Sequence, residues 1–332
     1  MKDLPPPSTI QGHAYAIYRP IAMLAGMKLD VFSPLANGPM TAAELSKALG
    51  LRADKLGPLL YALVHANLLT VADDRFANTP ESDAYLVKGR PTYMGSAHEL
   101  YTDMWSAALG VAQSISAGAP HARHDFGQMS DEELGAFFRG LHVGAMATGR
   151  QLATAYDFAR FNSLLDVGGG SGGVAIAACQ SCATLRATVL ELPRVAAIAK
   201  TFVETAGLSQ RVDVVASDIL SAPPKSAHDV AVLRYLLQVL SPDQSRLALR
   251  HVGVALRTGG ELFIIGHVLN NARLSPDAAV VMNLVFLSLY GDGQSYTDAE
   301  HRSWLEEAGF TDVSVLFGAG PNGASIVRAR KA

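Results

Sequence analysis

The sequence predicts a two-domain protein, a mostly helical N-terminal domain followed by an α/β domain whose sheet is largely parallel and closes on an antiparallel hairpin. Three observations lead there. The chain has 332 residues, with 49% hydrophobic and 17% charged side chains, enough for two domains that each bury a core. Up to about residue 160 the apolar residues recur at helical spacing. Beyond Phe161 short apolar runs alternate with helical segments, the pattern of parallel strands covered by helices on both faces.

The elements follow in order. Residues 1–12, with Pro5, Pro6 and Pro7, read as a flexible arm, and Ala14 to Phe32 as one apolar helix. Thr41 and Glu44 have the spacing of a capping box, and the helix they open is expected to stop at Gly50. A second helix covers about Ala53 to Ala66, with Pro58 expected in its first turn. Leu68 to Val71 and Arg75 to Ala77 flank Asp73-Asp74 as a hairpin. Residues 95–160 are helical throughout, with Met104, Trp105, Phe137, Phe138, Leu141 and Met146 at turn-like spacing. The expected strands are Ser163 to Val167, Ala187 to Glu191, Val212 to Ala216, Val230 to Leu233 and Glu261 to Gly266. A closing hairpin of Val313 to Phe317 and Ser325 to Arg328 follows.

Charge and cysteine usage exclude several classes. Helix, helix and hairpin in that order describe a winged helix, which raises a DNA-binding regulator as a rival. A net charge of −3, and a second helix with only Lys55 to offer a nucleic acid, argue against it. The greasy stretch Ala278 to Tyr290 is too short for a bilayer that needs about 20 residues. A soluble cytoplasmic protein is therefore expected, with no nucleic-acid or membrane partner. Cys179 and Cys182, the only two cysteines, sit on a predicted helix and read as core residues. The histidines are scattered, and no metal is expected.

Leu164-Leu165-Asp166-Val167-Gly168-Gly169-Gly170-Ser171-Gly172-Gly173 ends a strand and enters a helix, as a nucleotide site requires. Gly168, Gly170 and Gly173 also satisfy the dinucleotide fingerprint, so a nicotinamide-dependent oxidoreductase is a second rival. The acids favour a cationic ligand. Asp166 precedes the glycines, where its charge would oppose a pyrophosphate and suit the ammonium and sulfonium of S-adenosylmethionine (SAM). Glu191, ending the next strand, is placed for ribose hydroxyls. Asp218, after the third strand, is placed for an adenine amino group, with Ile219 against the ring.

With these motifs on the page, the chain from about residue 14 onward resembles the small-molecule O-methyltransferases of the caffeate, acetylserotonin and hydroxyneurosporene type. Thr41-Ala42-Ala43-Glu44-Leu45 through Leu69 resembles their dimerisation domain. Tyr156-Asp157-Phe158 leading to Asp166-Val167-Gly168-Gly169-Gly170 resembles their cofactor loop, and Ala308-Gly309-Phe310 their closing segment. The resemblance implies a Rossmann-like SAM-dependent methyltransferase domain with a seven-stranded sheet, over 161–332. It also implies a winged-helix dimerisation domain over 13–100, a helical linker over 101–160 that covers the active site, and a homodimer formed through the N-terminal domain. SAM contacts are implied for Asp166, Gly168, Gly170, Glu191, Asp218, Ile219 and Arg234. A small aromatic or polyketide-like acceptor is expected among Trp105, Phe138, Leu141, His142, Asn283, Phe286 and Tyr290.

The resemblance fails at the base. After the fourth strand the family usually reads Arg-x-x-Leu-His-Asp-Trp-Ser, its histidine removing the acceptor proton. Here Arg234-Tyr235-Leu236-Leu237-Gln238-Val239-Leu240-Ser241 puts Gln238 in that place, and Gly266 and Ser295 stand where two acids normally steady the histidine. Gln238 can orient a hydroxyl but cannot take its proton. His267 and His142 are the nominated replacement bases. Transfer to carbon or nitrogen, or a non-methylating reaction such as decarboxylation, hydroxylation or rearrangement, becomes an alternative to O-methylation.

Overall fold

A computed structural model describes residues 4–122 and 126–332. The chain divides into two compact units, Met1–Thr102 and Asp103–Ala332. In the first, helix α1 (Ser8–Ala16) starts directly after Pro7, and α2 (Tyr18–Lys28) follows after Ile17 alone. Helix therefore begins inside the segment read as an arm, because a proline at a helix entrance lacks only an N–H that would go unpaired anyway. The expected single helix to Phe32 ends at Lys28, and Asp30 turns left-handed at φ 57.

Strand β1 (Met40–Thr41) leads into α3 (Ala42–Leu49). Thr41 Oγ1 accepts from the Glu44 N–H at 3.2 Å and Glu44 Oε2 accepts from the Thr41 N–H at 2.7 Å, so the capping box is complete. Gly50 closes α3 in the left-handed conformation. Helix α4 (Ala53–His65) carries Pro58 in its second turn, not its first as expected. The proline removes a bond that would reach the carbonyl of Asp54, which is exposed and open to water. Leu56, Leu60 and Leu63, all buried, hold the helix against the core.

Strands β2 (Leu69–Ala72) and β3 (Arg75–Asn78) form the expected hairpin. Asp73 and Asp74 both take positive φ, as a primed two-residue turn requires. β1 pairs with β3, a third strand too short to show in the sequence. Helix α5 (Pro80–Leu86) completes this part of the unit.

Helix α6 (His98–Leu109) leads into the second unit, followed by α7 (Val111–Ala117) and the 25-residue α8 (Asp131–Ala155). Then come β4 (Ser163–Val167), α9 (Gly173–Ser181), β5 (Arg186–Glu191), α10 (Pro193–Thr205), β6 (Val212–Ala216), β7 (His228–Arg234), α11 (Pro242–Ala255), β8 (Leu256–Gly266), α12 (Asp277–Leu289), α13 (Asp298–Glu307), β9 (Phe310–Leu316) and β10 (Ser325–Lys331). The seven strands run β6-β5-β4-β7-β8-β10-β9, parallel except for β10, which lies antiparallel to both its neighbours. Every strand expected from the sequence is present, some longer by a few residues.

Leu164, Val230, Val232 and Phe263 pack on one face of the sheet, and Leu165, Val167, Leu233 and Ile264 on the other. Cys179 and Cys182 are buried and unbridged, and burial pushes the Cys179 thiol up to about 11, as befits inert core residues. No helix among the described residues is long and apolar enough to cross a membrane.

At the sheet end opposite the glycine loop, Glu261 on β8 ties three elements together. It accepts from Arg160 Nη2 at 2.7 Å and from Arg328 Nε and Nη2 at 3.0 and 2.9 Å. These bonds hold its carboxyl below the usual range against the opposing effect of burial. A lowered folded-state pKa gives stability that is complete above the unfolded value of about 4.3 and is lost as pH falls through the folded value. Glu261→Gln is expected to lower unfolding free energy by about 1–3 kcal/mol at pH 7 in urea titrations. The difference from the parent protein should shrink below about pH 4.

Candidate active site

The site forms where β4, β5 and β6 end side by side. Parallel strands in this order present their C-terminal ends to one crevice, so one acid from each strand end reaches the same place. Asp166 is fully buried on β4. Its Oδ2 accepts from the Ala175 N–H at 3.2 Å, at the start of α9, while its Oδ1 has no partner. Burial, reinforced by Glu191, pushes its carboxyl up to about 7. Glu191 spans the glycine loop and the next helix. Its Oε2 accepts from the Gly170 N–H at 2.9 Å and its Oε1 from the Leu192 N–H at 2.8 Å, and burial raises its pKa. Asp218 accepts from the Leu220 N–H at 2.8 Å, and Ile219 beside it is buried.

The loop's shape depends on glycine. Gly168 and Gly170 take φ of +62 and +57. A Cβ on Gly170 would also stand 3.0 Å from the Phe138 ring. The glycines thus let the loop pack closely against Phe138 and Leu236.

Helix α8 covers the loop with one stripe of side chains. Phe138 lies against Gly170, and one turn on His142 Nδ1 meets Ser171 Oγ at 2.8 Å. The His142 ring stacks on Phe202 of α10 at 4.2 Å, and burial with nearby Arg150 lowers its pKa to about 4. His142 was nominated as a base facing the pocket, but the phase of α8 turns it onto the loop and α10, where it fixes Ser171. Phe138 packs in a cluster with Leu134 and Val195, with Leu141 against it, so both lie in a core between α8 and α10.

Farther along α8, Thr148 Oγ1 accepts from Arg234 Nε at 3.1 Å. The Arg234 guanidinium, over the Tyr235 ring at 4.5 Å, has no carboxylate within 4.0 Å among the described residues.

From Arg234 a row of rings leads away from the loop. Tyr235 stacks on His267 at 5.3 Å, His267 meets Phe286 at 5.7 Å, and Phe286 meets Tyr290 at 6.1 Å. Burial and Arg234 bring His267 down to about 4, so its ring is neutral at pH 7. Asn283 Oδ1 accepts from the Ser295 N–H at 2.8 Å, and Asn283 and Tyr290 line a cleft of roughly 470 Å³ between α7 and α12. Trp105 is half-buried on α6 and does not line that cleft. Gln238 is buried in the 3-10 turn that follows β7, its Oε1 accepting from the His267 backbone N–H at 3.1 Å.

A model of the O-methyltransferase domain matches residues 98–311, and one of the O-methyltransferase dimerisation domain matches residues 12–88. The chain belongs to the O-methyltransferase family. The 3-hydroxy-5-methyl-1-naphthoate 3-O-methyltransferase of Streptomyces sahachiroi is 30% identical across 98% of this chain and 96% of its own length. CalO1, a methyltransferase in calicheamicin biosynthesis solved in its SAH-bound form, superposes with a TM-score of 0.82 at 25% identity, over 99% of this chain and 100% of that one. An O-methyltransferase family protein from Burkholderia thailandensis has the same fold, with a TM-score of 0.83 at 19% identity over 99% of both chains.

Within this O-methyltransferase frame, sequence reasoning missed Ser171 and Thr148. A hydroxyl in a loop or helix carries no signal of its partner, and only the register of α8 brings these two to His142 and Arg234. The glycine loop gives a direct test. Gly170→Ala forces a side chain into a left-handed conformation and against Phe138, a strain of about 1–2 kcal/mol. Affinity for SAM by calorimetry is expected to fall roughly tenfold, with unchanged circular dichroism.

Proposed function

We propose that this protein transfers the methyl group of SAM to a hydroxyl oxygen of a small aromatic or polyketide-like acceptor, and works as a homodimer. The observation that carries the reading is the unpartnered buried oxygen of Asp166 beside a glycine loop, with Glu191 and Asp218 at the neighbouring strand ends. A desolvated carboxylate with an unused lone pair suits a cationic ligand and opposes the pyrophosphate of a dinucleotide. The residues present therefore fit SAM.

Asp166 and the backbone of Gly168 and Gly170 would hold its amino-acid end, Glu191 the ribose hydroxyls, and Asp218 the adenine amino group with Ile219 against the ring. Arg234, tied to Thr148, would mark the boundary between donor and acceptor. Bound SAM supplies a methyl group already activated by its sulfonium. The protein's share is to hold the acceptor in line and exclude water, an orientation effect worth several kcal/mol. Tyr235, His267, Phe286 and Tyr290 make a flat wall for an aromatic ring, and Asn283 a polar edge. Self-association through the N-terminal domain is supported by Ile10, Tyr15, Tyr18 and Ile21, large side chains exposed along α1 and α2.

Incubation with methyl-labelled SAM and a panel of phenols, enols and amines is the test. S-adenosylhomocysteine and labelled methyl ethers are expected, with at least a tenfold loss of SAM affinity in Asp166→Asn. Binding of a nicotinamide dinucleotide without binding of SAM would overturn the assignment.

A further inference from the structure

Gln238, Gly266 and Ser295 stand where the resemblance implies a histidine and two acids, and the structure shows why the first two belong together. The Gln238 side chain reaches over the end of β8, where its Oε1 accepts the His267 N–H. A Cβ on Gly266 would lie 3.0 Å from that oxygen, so an acidic side chain at 266 would collide with the amide and set its charge against the amide oxygen. Accepting the N–H fixes which end of the amide is which. Oxygen faces the backbone, and the NH2 group makes no hydrogen bond among the described residues. Ser295 adds no charge, since its hydroxyl donates to the Ala279 carbonyl at 3.1 Å.

The groups around this point are donors or neutral rings. Arg234 has no carboxylate within 4.0 Å among the described residues, although Asp166 acts on it at longer range, and His267 is neutral at pH 7. Tyr235, Tyr290 and Tyr296 are all shifted upward by burial, and His301 downward. Burial thus disfavours the charged form of each of these rings. Among the acids, Asp166 acts on Arg234, Asp103 acts on Tyr290, and Asp292 lines the cleft. His267 keeps a buried Nδ1 without a partner, but burial makes it a weak base, so a site furnished in this way favours an acceptor that arrives already ionised.

Resting on the O-methyl transfer reading, we propose that the acceptor is an acidic hydroxyl, a phenol or enol conjugated to a carbonyl or nitro group. It binds as its conjugate base, with the Gln238 amide NH2 donating to its oxygen. The hydroxyl proton passes to water before the chemical step. A lone pair of the oxyanion then forms the O–CH3 bond while the S–CH3 bond breaks and leaves its pair on sulfur, giving an ether, S-adenosylhomocysteine and one proton in solution. A plain phenol, with a pKa near that of tyrosine at about 10, presents little anion at neutral pH and is a poor acceptor.

Nitrophenols are the probe, because the anion absorbs visible light. In the presence of S-adenosylhomocysteine, the ionisation midpoint of bound nitrophenol is expected to lie at least about one unit below its value in water, a tenfold preference for the anion. Gln238→Leu should abolish the shift, and Gln238→Glu, which keeps the shape, should reverse it. In turnover, the pH at which the rate levels off should move with the acidity of each nitrophenol. An unshifted bound midpoint, or a break fixed at one pH for all acceptors and lost in His267→Ala, would overturn the inference while leaving O-methyl transfer intact. Absence of S-adenosylhomocysteine with every acceptor would remove the parent reading and this one together.

Discussion

A carboxylate removed from water loses several kcal/mol of hydration, and the fold must return it through hydrogen bonds or an opposite charge. Asp166 receives one hydrogen bond, from Ala175, and keeps its second oxygen unpartnered. Its place on the interior strand β4 leaves it little room to move, since Val189 and Val232 flank it in the sheet. The arrangement is a deficit built into the protein, which SAM bound as proposed would match with a positive charge. The rest of the site follows from that point: the left-handed glycines let the loop pack closely beside it, Glu191 clamps the loop through Gly170, and α8 covers the loop with Phe138 and His142.

The second feature is a trade at the other side of the crevice. Gly266 gives the Gln238 side chain room, and the His267 N–H gives its amide an orientation. A histidine and its acidic partners would form a proton-removing unit, whereas an amide held by its oxygen presents only N–H donors. The ring row from Tyr235 to Tyr290 meets that trade at His267, while the cleft lined by Asn283 is not lined by Gln238.

Much of this was legible in the sequence. Strands buried on both faces, such as Leu164 to Val167 and Val230 to Leu233, write themselves as apolar runs, and the caps at Thr41 and Gly50 depend only on neighbours in sequence. Three acids at strand ends were equally readable, because parallel strands in sequence order place their C-termini on one edge. What failed depended on distance or phase. Pro58 lies deeper in α4 than local preference allows because Leu56, Leu60 and Leu63 outweigh one lost bond. The strand at Met40–Thr41 exists only by pairing with β3. The direction of His142 is set by the register of a 25-residue helix, and the partner of Gln238 lies on another strand. No pattern within either segment encodes those contacts.

The central claim is that the Asp166 carboxyl, partly protonated near pH 7 when the site holds no ligand, becomes an anion opposite bound SAM. Calorimetric titration of SAM at pH 7 in buffers of different ionisation enthalpy measures the protons exchanged on binding. The account requires a net release of about half a proton from this group, absent in Asp166→Asn. A binding enthalpy corrected to the same proton count in the parent protein and the variant would contradict it.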